Sequence, residues 1–533
     1  MLHCILLSSL EKAFPDKAPA DPGFSGFSLL QGEYGAFQIA VFSDTPQTLP
    51  IRVQSDLTVR VYRVDCVPAG LICHTGDDDY LRKESGLYPD LLRPCETIDA
   101  DETIRALWFE VEAGTAAPGL HTVEVTVGAC TRSVQVEVID AVLPPQTLVC
   151  THWFHTDCLH TYYDVPVFSE AYWRITENFV RAAAEHGVNM LYTPLFTPPL
   201  DTAEGRERPT VQLVDVTKTG DKYVFGFEKL RRWIEMGNRC GMRYFEFSHF
   251  FTQWGAKHAP KIMAQTEKGE KQIFGWKTAA GGRAYTAFLR AFAPALRVFL
   301  ETEKLTDRCW FHVSDEPSSE ALTAYRRRSA LVRELFPGYP VMDALSDFDF
   351  YARGLVQQPI PCINTVEDFY GKVPQLWTYY CCGPEKGGYP NRFIGMPSRR
   401  CRILGLLMYR YDIRGFLQWG LNFWYSQLSD HPIDPLQTTD ADGAFPAGDP
   451  FVLYPGADGE ALVSLRFKVF RDALQDLRAL QLLESRIGRE RTLALLCGEE
   501  TLTMQQYPRT DAWLLAKREE INRAIAASRE GSA

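Results

Sequence analysis

Two adjacent carboxylates, Asp315 and Glu316, are the residues of this sequence that could most readily do chemistry. They follow a short apolar run, Cys309 to Val313, which predicts a buried strand, and Pro317 prevents strand pairing from continuing. Neighbouring acids repel each other and are costly to desolvate, so a site that uses both is one explanation of the pair. The other is a solvated loop whose acids cap a helix that begins at Ser318.

The length and composition of the chain narrow the class of protein. Its 533 residues predict two or three domains, and 46% hydrophobic with 23% charged residues is typical of a globular protein. The net charge is −11 and no long basic run occurs, which disfavours nucleic-acid binding. No stretch approaches the ~20 continuous apolar residues of a membrane span, so no membrane partner is expected.

The cysteines and the first residues predict a reduced, cytoplasmic protein. Fourteen cysteines are scattered without a Cys-x-x-Cys pair, and many stand in apolar strands, where a thiol behaves as a small hydrophobic group. Cys381 and Cys382 are the only close pair, and a bridge between neighbours would be strained. Met1 to Leu7 lack the basic and cleavage features of a signal peptide and predict a first strand. No cofactor is expected.

Residues 1–145 show the period-two alternation of strands and no convincing amphipathic helix. The clearest strands are Ile104–Glu112, Leu120–Val127 and Val134–Ile139, with a Pro118-Gly119 turn between the first two. This pattern predicts an N-terminal β-sandwich, followed by a linker at Val142 to Pro145.

From residue 146 to 459, strand-like runs alternate with helix-length segments such as Ser169–His186. Strict alternation at this length predicts a (β/α)8 TIM-type barrel, with a hairpin of Thr210–Val216 and Lys222–Phe225 inserted in it. An open doubly wound sheet is the alternative, but no glycine-rich phosphate loop follows any strand. The eight predicted strands are Leu148–Phe154, Asn189–Thr193, Met242–Ser248, Cys309–Ser314, Val341–Leu345, Cys362–Thr365, Leu376–Tyr380 and Phe416–Asn422.

The last part of the chain, residues 460–533, has apolar residues at helical spacing and predicts a helical C-terminal extension packed on the barrel. Before it, residues 429–459 are rich in Asp, Pro and Gly, which indicates a long loop over the barrel mouth. The whole chain is therefore predicted to be a multidomain α/β protein.

Aromatic and polar residues recur where the predicted barrel strands end, the edge at which barrel enzymes place their active sites. Aromatic faces pack on the C–H face of a sugar ring, and directed polar groups bind its hydroxyls. For each single tryptophan a place in the core is the alternative, so the clustering carries this prediction. The predicted substrate-binding residues are Trp153, His155, His249, Trp254, Tyr379, Trp419, Asn422 and Trp424.

The first strand end also carries His152, His155, Asp157 and His160, which are residue types that bind zinc. They lie in a loop without the helical i, i+4 spacing of a strong metal motif, so no metal is predicted. Contacts to a sugar or hydrogen bonds within the loop are the alternatives. A serine hydrolase is disfavoured because no Gly-x-Ser-x-Gly sequence occurs.

The arrangement resembles glycoside hydrolase family 123 and its uncharacterised bacterial relatives over roughly residues 150–480, and an N-terminal β-sandwich also fits that family. The motifs that carry the resemblance are Phe311–Pro317, Ser248-His249 with Phe251–Gly255, Gln418–Gly420 with Asn422, Gly448–Phe451 with Tyr454–Gly456, and Ser464–Arg466 before Arg471-Asp472.

The resemblance implies a retaining exo-β-N-acetylgalactosaminidase that uses substrate-assisted catalysis on a small oligosaccharide. Glu316 would be the general acid/base, and Asp315 would orient the 2-acetamido group and stabilise the charge on its nitrogen. Such enzymes need no nucleophile of their own. The alternatives are a glycosidase for another glycan, a non-catalytic carbohydrate-binding protein, and a metal-dependent hydrolase built on His152 to His160. The sequence does not predict the oligomeric state.

Overall fold

The computed structural model describes residues 1–317 and 319–528, with Ser319 as backbone only. The strands are β1 (Leu2–Ser8), β2 (Gly26–Gln31), β3 (Tyr34–Ser43), β4 (Gln47–Gln54), β5 (Thr58–Ala69), β6 (Gly86–Pro94), β7 (Thr97–Ala100), β8 (Arg105–Glu112), β9 (Gly119–Val127), β10 (Cys130–Val142), β11 (Val149–His152), β12 (Met190–Thr193), β13 (Asp215–Thr219), β14 (Lys222–Gly226), β15 (Tyr244–Phe247), β16 (Ile262–Thr266), β17 (Gly269–Phe274), β18 (Cys309–Trp310), β19 (Met342–Ala344), β20 (Gln358–Ile360), β21 (Trp377–Tyr379), β22 (Gly415–Gln418), β23 (Leu453–Pro455) and β24 (Ala461–Val463). The α-helices are α1 (Thr156–Tyr163), α2 (Glu170–Glu185), α3 (Glu228–Arg239), α4 (Arg283–Thr302), α5 (Leu322–Leu335), α6 (Phe348–Ala352), α7 (Val366–Phe369), α8 (Ser398–Arg410), α9 (Leu465–Ile487), α10 (Arg489–Cys497) and α11 (Asp511–Ala527).

The N-terminal region is rich in strands, as its alternating sequence predicts. One five-stranded sheet has the order β1-β3-β8-β5-β6 and a second has the order β2-β10-β9-β4-β7. Apolar residues of both sheets, such as Phe37 on β3 and Val125 on β9, belong to one buried cluster. Strands β3, β8, β9 and β10 contribute every second residue to that cluster, because successive side chains of a strand point to opposite faces.

The middle region contains a six-stranded sheet with the order β18-β15-β12-β11-β22-β21, in which every pair is parallel. A parallel pair, β19 and β20, follows β18 in the chain. Isolated parallel bridges, Phe311–Val341 and Cys362–Tyr379, join this pair to the two edges of the larger sheet. The carboxyl ends of these strands therefore lie on the same side.

Most predicted barrel elements lie where the sequence places them, with two corrections. The sixth strand is Gln358–Ile360, a few residues before the predicted Cys362–Thr365, and Pro359, a residue type that normally disfavours strands, sits in this short parallel pair. The predicted hairpin is displaced to β13 and β14, and it belongs to a four-stranded sheet with β16 and β17. The exposed Lys and Glu residues of that second hairpin obscured its apolar alternation.

Helix boundaries follow the capping signals in the sequence. The hydroxyl of Ser169 accepts from the Tyr172 N–H at the start of α2, and Ser464 caps α9 in the same way. A 3-10 turn, Ser319–Ala321, precedes α5, whereas Ser318, where the helix was predicted to begin, lies outside the described residues. Residues 529–533 of the predicted extension also lie outside them.

The long helix α9 packs against α8 and against β6 of the first N-terminal sheet. Its Arg466 forms an ion pair with Asp90 at 2.8 Å, and both side chains are buried. Among the described residues, no helix is both long and apolar enough to cross a membrane.

Candidate active site

A cavity of about 660 Å³, counted with its open mouth, lies at the carboxyl ends of the parallel strands. Asp315 and Glu316 line it after β18, and four of the predicted aromatic residues, Trp153, Trp254, Tyr379 and Trp419, form much of its wall. Each of these residues comes from a different loop or strand end except the two acids, which are adjacent. The structure therefore brings the acid pair and these four aromatic residues together.

The backbone of the acid pair is held from two sides. The Trp254 N–H donates to the Asp315 carbonyl at 2.9 Å, and the Glu316 N–H donates to the Ala344 carbonyl at 3.1 Å. Glu316 has a φ of +41°, in the left-handed region that a side chain other than glycine's adopts at a cost. Such strain persists where surrounding contacts fix it, and it is common at functional sites.

The surroundings of the two carboxyl groups favour their protonated forms. Glu316 is accessible through the mouth of the cavity, but the protein atoms around its carboxyl group reduce the hydration of that group. This loss of hydration raises the pKa of Glu316 to about 7, although a hydrogen bond from Tyr379 acts in the opposite direction. The Tyr379 O–H donates to Glu316 Oε1 at 2.5 Å. Burial and the charge of Glu316 raise the pKa of Asp315 well above its usual range. Among the described residues, no group donates a hydrogen bond to the Asp315 carboxylate.

Two of the aromatic wall residues are oriented by buried carboxylates. The Trp153 indole N–H donates to Glu246 Oε1 at 2.7 Å, and the Trp419 indole N–H donates to Asp449 Oδ2 at 3.0 Å. Trp254 differs, because it is 51% exposed at the rim. The wall thus has a fixed inner part and an accessible outer face, an arrangement that suits a sugar whose neighbour extends into solvent.

The other four predicted binding residues lie behind the wall, all of them buried. His155 Nε2 lies 2.9 Å from the Trp419 carbonyl, and the Asn422 side chain exchanges hydrogen bonds with the His155 backbone. His249 packs edge-on against Trp153, and the Trp424 indole donates to the Leu453 carbonyl at 3.3 Å. These side chains support the wall and do not line the cavity.

The side chains of the His152–His160 cluster have separate partners. Asp157 forms a buried ion pair with Arg208 at 2.7 Å, and Arg208 also lies 3.1 Å from His155 Nδ1. His160 Nδ1 lies 2.6 Å from the Val165 carbonyl, while His152 packs against the aromatic rings of α9. Burial, with the charge of Arg208, lowers the pKa of His155 to about 3. Hydrogen bonds and packing account for the cluster.

A fully buried network lies beneath the acid pair. His312 Nε2 is 2.6 Å from Glu246 Oε1 and His312 Nδ1 is 3.1 Å from Asp343 Oδ1. Burial opposes a charge on His312, but these hydrogen bonds and the two negative charges outweigh it and raise its pKa to about 9. Asp343 also accepts from the Val313 N–H at 3.0 Å and from the Tyr325 O–H at 2.5 Å. The network fixes the segment that leads into Asp315.

The same network contains the candidate metal-ligand group of the described residues, His249, His312 and Asp343, whose donor atoms lie within 4.8 Å of one another. Both nitrogens of His312 already contact carboxylates, and its ring stacks on His249 with 4.1 Å between centroids. The hydrogen bond of His312 to Asp343 and the stacking of its ring on His249 thus account for the proximity of the three side chains.

Several cavity residues escaped the sequence analysis. Asp201 follows β12 in a proline-rich loop and gave no signal, and Gln253 stood inside a motif but was given no role. Cys381 and Cys382 were noted only as a vicinal pair. The residues that line the cavity without having been predicted include Leu200, Asp201, Gln253, Cys381, Cys382 and Phe445.

Comparison with known proteins relates the chain to a family of glycoside hydrolases. The sequence model described as glycoside hydrolase 123, catalytic domain, matches residues 153–483. The fold is similar to that of a family 123 glycoside hydrolase from Clostridium perfringens, whose structure was described for glycolipid glycan hydrolysis; the TM-score is 0.76 at 13% identity, over 99% of this chain and 98% of that one. An FMN-binding β-glucuronidase from Facaelibacterium prausnitzii L2-6 gives a TM-score of only 0.34 at 10% identity, over 88% and 86% of the two chains. No curated protein matches the sequence.

The match to the family covers more than half of the chain, including the acid pair and every aromatic residue of the cavity wall. The protein is therefore a glycosidase, and the chain belongs to glycoside hydrolase family 123.

Proposed function

We propose that this protein is a retaining exo-β-N-acetylgalactosaminidase that uses substrate-assisted catalysis. The observation that carries the proposal is the adjacent Asp315–Glu316 pair in a cavity walled by aromatic residues. No second carboxylate on another strand is required, because the acetamido oxygen of the substrate acts as the nucleophile.

Glu316 has the role of general acid/base. With a pKa of about 7, a substantial fraction of its carboxyl groups carries a proton at neutral pH. Glu316 donates that proton to the glycosidic oxygen as the bond to C1 breaks, and the acetamido oxygen forms a new bond to C1. The resulting Glu316 carboxylate then takes a proton from water as the water oxygen attacks C1, which restores the acid and the acetamido group.

Asp315 orients the acetamido group and stabilises its charged nitrogen. In the protein alone, burial keeps the pKa of Asp315 high. An amide N–H of the substrate would supply the missing hydrogen-bond donor and favour the carboxylate form. Asp315 therefore becomes the anion when the acetamido group binds, while Glu316 retains the proton.

We extend the proposal to the domain architecture and the cellular location of the protein. Eight parallel strands, joined through the Phe311–Val341 and Cys362–Tyr379 bridges, support a (β/α)8 barrel over residues 146–459. The two sheets with a shared buried cluster support a β-sandwich over residues 1–145. Helices α9, α10 and α11 support a helical extension at 460–533. All fourteen cysteines are free thiols, which supports a cytoplasmic location.

The substrate class we propose is the terminal sugar of a small oligosaccharide or of the glycan of a glycolipid. The cavity opens to solvent at its mouth, which leaves room for the rest of the glycan to extend outward from the bound terminal sugar. The similar enzyme from Clostridium perfringens acts on glycolipid glycans, which supports the second source.

The test is hydrolysis of para-nitrophenyl β-N-acetylgalactosaminide, with the β-N-acetylglucosaminide and the β-galactoside alongside. We expect release from acetamido sugars only, and a loss of about 10²–10⁴-fold in the Glu316→Gln variant on an unactivated substrate. Full turnover by that variant would contradict the role of Glu316. Release from the galactoside would mean that Asp315 acts directly, and binding of the sugars without release would favour a carbohydrate-binding protein.

A further inference from the structure

Asp201 and Gln253 form a small polar bay in the wall of the cavity, apart in sequence from the acid pair. Asp201 lies in the loop after β12, Gln253 lies in the loop after β15, and both side chains line the cavity. Neither side chain is needed for the proton transfers described above. Their contacts show what each leaves available to a ligand.

Gln253 presents a buried amide donor that has no partner. Its Oε1 accepts from the Asp201 N–H at 2.6 Å, which fixes the amide so that Nε2 is the remaining group. Gln253 is only 8% exposed, and Nε2 has no hydrogen-bond partner among the described residues. Because an unpaired buried N–H costs about 1–3 kcal/mol, such groups normally have a partner.

Asp201, whose backbone N–H binds Gln253, presents a carboxylate acceptor held in a fixed position. Its Oδ2 accepts from the Leu428 N–H at 3.0 Å, and the Ser429 hydroxyl donates to the Asp201 carbonyl at 2.6 Å. No hydrogen bond to Oδ1 occurs within the described part of the chain. Burial raises the pKa of Asp201 to about 6, so the group is mainly a carboxylate at neutral pH.

The backbone of this bay is strained in the same way as that of the catalytic pair. Asp201, Trp254 and Leu428 have φ values of +38°, +56° and +56°. Non-glycine residues in this region cost of the order of 1–3 kcal/mol and persist where neighbouring contacts over-determine them. Two loops thus hold the donor and the acceptor in place before any ligand arrives.

We propose that Gln253 Nε2 and Asp201 Oδ1 bind one hydroxyl group, or two neighbouring ones, of the terminal sugar, and so set its specificity; this rests on the proposed function. A hydroxyl fits because it accepts from the amide N–H and donates to the carboxylate at the same time. A sugar carboxylate or sulfate would be repelled by Asp201 and has no proton to donate. The bay therefore selects neutral sugars and discriminates between positions of the hydroxyl groups.

The test is sugar binding, measured without turnover. Isothermal titration of N-acetylgalactosamine and its 3-, 4- and 6-deoxy analogues is compared for the natural protein, Asp201→Asn and Gln253→Glu. Both changes keep the side-chain shape and the contacts to Leu428 and to the Asp201 N–H. The matched control is Glu204→Gln, an exposed residue of the same loop.

We expect each bay variant to weaken binding of the parent sugar by about 10- to 100-fold. The deoxy analogue that lacks the bound hydroxyl should bind weakly to the natural protein. The bay variants should lower its affinity little further. An equal loss for all four sugars, or no loss, would overturn the inference, as would a loss in Glu204→Gln of the same size. Absence of hydrolysis with this binding pattern intact would contradict the proposed function alone.

Discussion

Glu110 and Glu316 have the same side chain in two regions of the molecule, with opposite surroundings. Glu110 lies on β8 at the boundary with α9 and is 1% exposed, with Lys468 at 2.7 Å and Arg471 at 2.5 Å. Burial alone would raise the pKa of Glu110, but those two cations hold it well below its usual range. Glu316 has the neutral Tyr379 hydroxyl as a hydrogen-bond donor and a second acid beside it.

The difference separates acids that hold the fold from acids that are available for chemistry. Around α9, buried carboxylates are matched with guanidinium or ammonium groups, as in Asp90–Arg466 and Asp476–Arg402. At the cavity, no lysine or arginine of the described residues forms an ion pair with Asp315 or Glu316. Perturbed acids without a cation, placed in a cleft, are candidates for catalysis.

After Glu316→Gln, the largest effect on activity is expected from Asp315→Asn. The neutral amide cannot stabilise the charged acetamido nitrogen, so we expect kcat/KM for N-acetyl substrates to fall by about 10²–10³-fold. Steady-state kinetics on para-nitrophenyl β-N-acetylgalactosaminide measures this. Asp349→Asn is the control, because that exposed acid on α6 forms its ion pair with Arg353, at the end of the same short helix. A loss below about 10-fold would separate Asp315 from the reaction.

At the other acid, Glu110→Gln should act on stability instead. It leaves Lys468 and Arg471 buried without an anion, which costs about 3–5 kcal/mol of unfolding free energy. Folding lowers the pKa of Glu110, so its carboxylate stabilises the folded protein at pH values above the unfolded-state pKa of about 4.3. That stabilisation is lost as the pH falls through the folded-state pKa. Denaturation curves should show a difference from the natural protein that narrows below about pH 4. A difference that does not depend on pH would contradict the ion-pair explanation.

A smaller change is expected from Tyr379→Phe. The hydrogen bond from Tyr379 lowers the pKa of Glu316, so its loss raises that pKa. Glu316 then keeps its proton to higher pH, and the basic limb of the kcat/KM profile should move upward by about one pH unit, the equivalent of one hydrogen bond. An unchanged basic limb would show that Glu316 is not the group that titrates there.

Features fixed by local sequence were predictable, and features made by long-range contacts were not. Asp315, Glu316 and Trp419 were found because a short apolar run followed by polar or aromatic residues marks the end of a barrel strand. His249 and Asn422 share that position but turn behind the wall, because hydrogen bonds to distant residues fix their direction. Asp201 lines the cavity because hydrogen bonds to Leu428 and Ser429 fix its loop. Those two residues are more than two hundred positions away in the sequence, so no local pattern predicts the contact.

The comparison between the two glutamates is tested most directly by making the same substitution at both. The melting temperature of Glu110→Gln and of Glu316→Gln, and their turnover per folded molecule, are measured side by side on one acetamido substrate. We predict that Glu110→Gln melts at a clearly lower temperature and keeps its turnover. We predict that Glu316→Gln loses turnover and melts no lower than the natural protein, because it removes an acid whose pKa folding raises. A Glu316→Gln protein that turns over normally, or a Glu110→Gln protein of natural stability, would contradict this account.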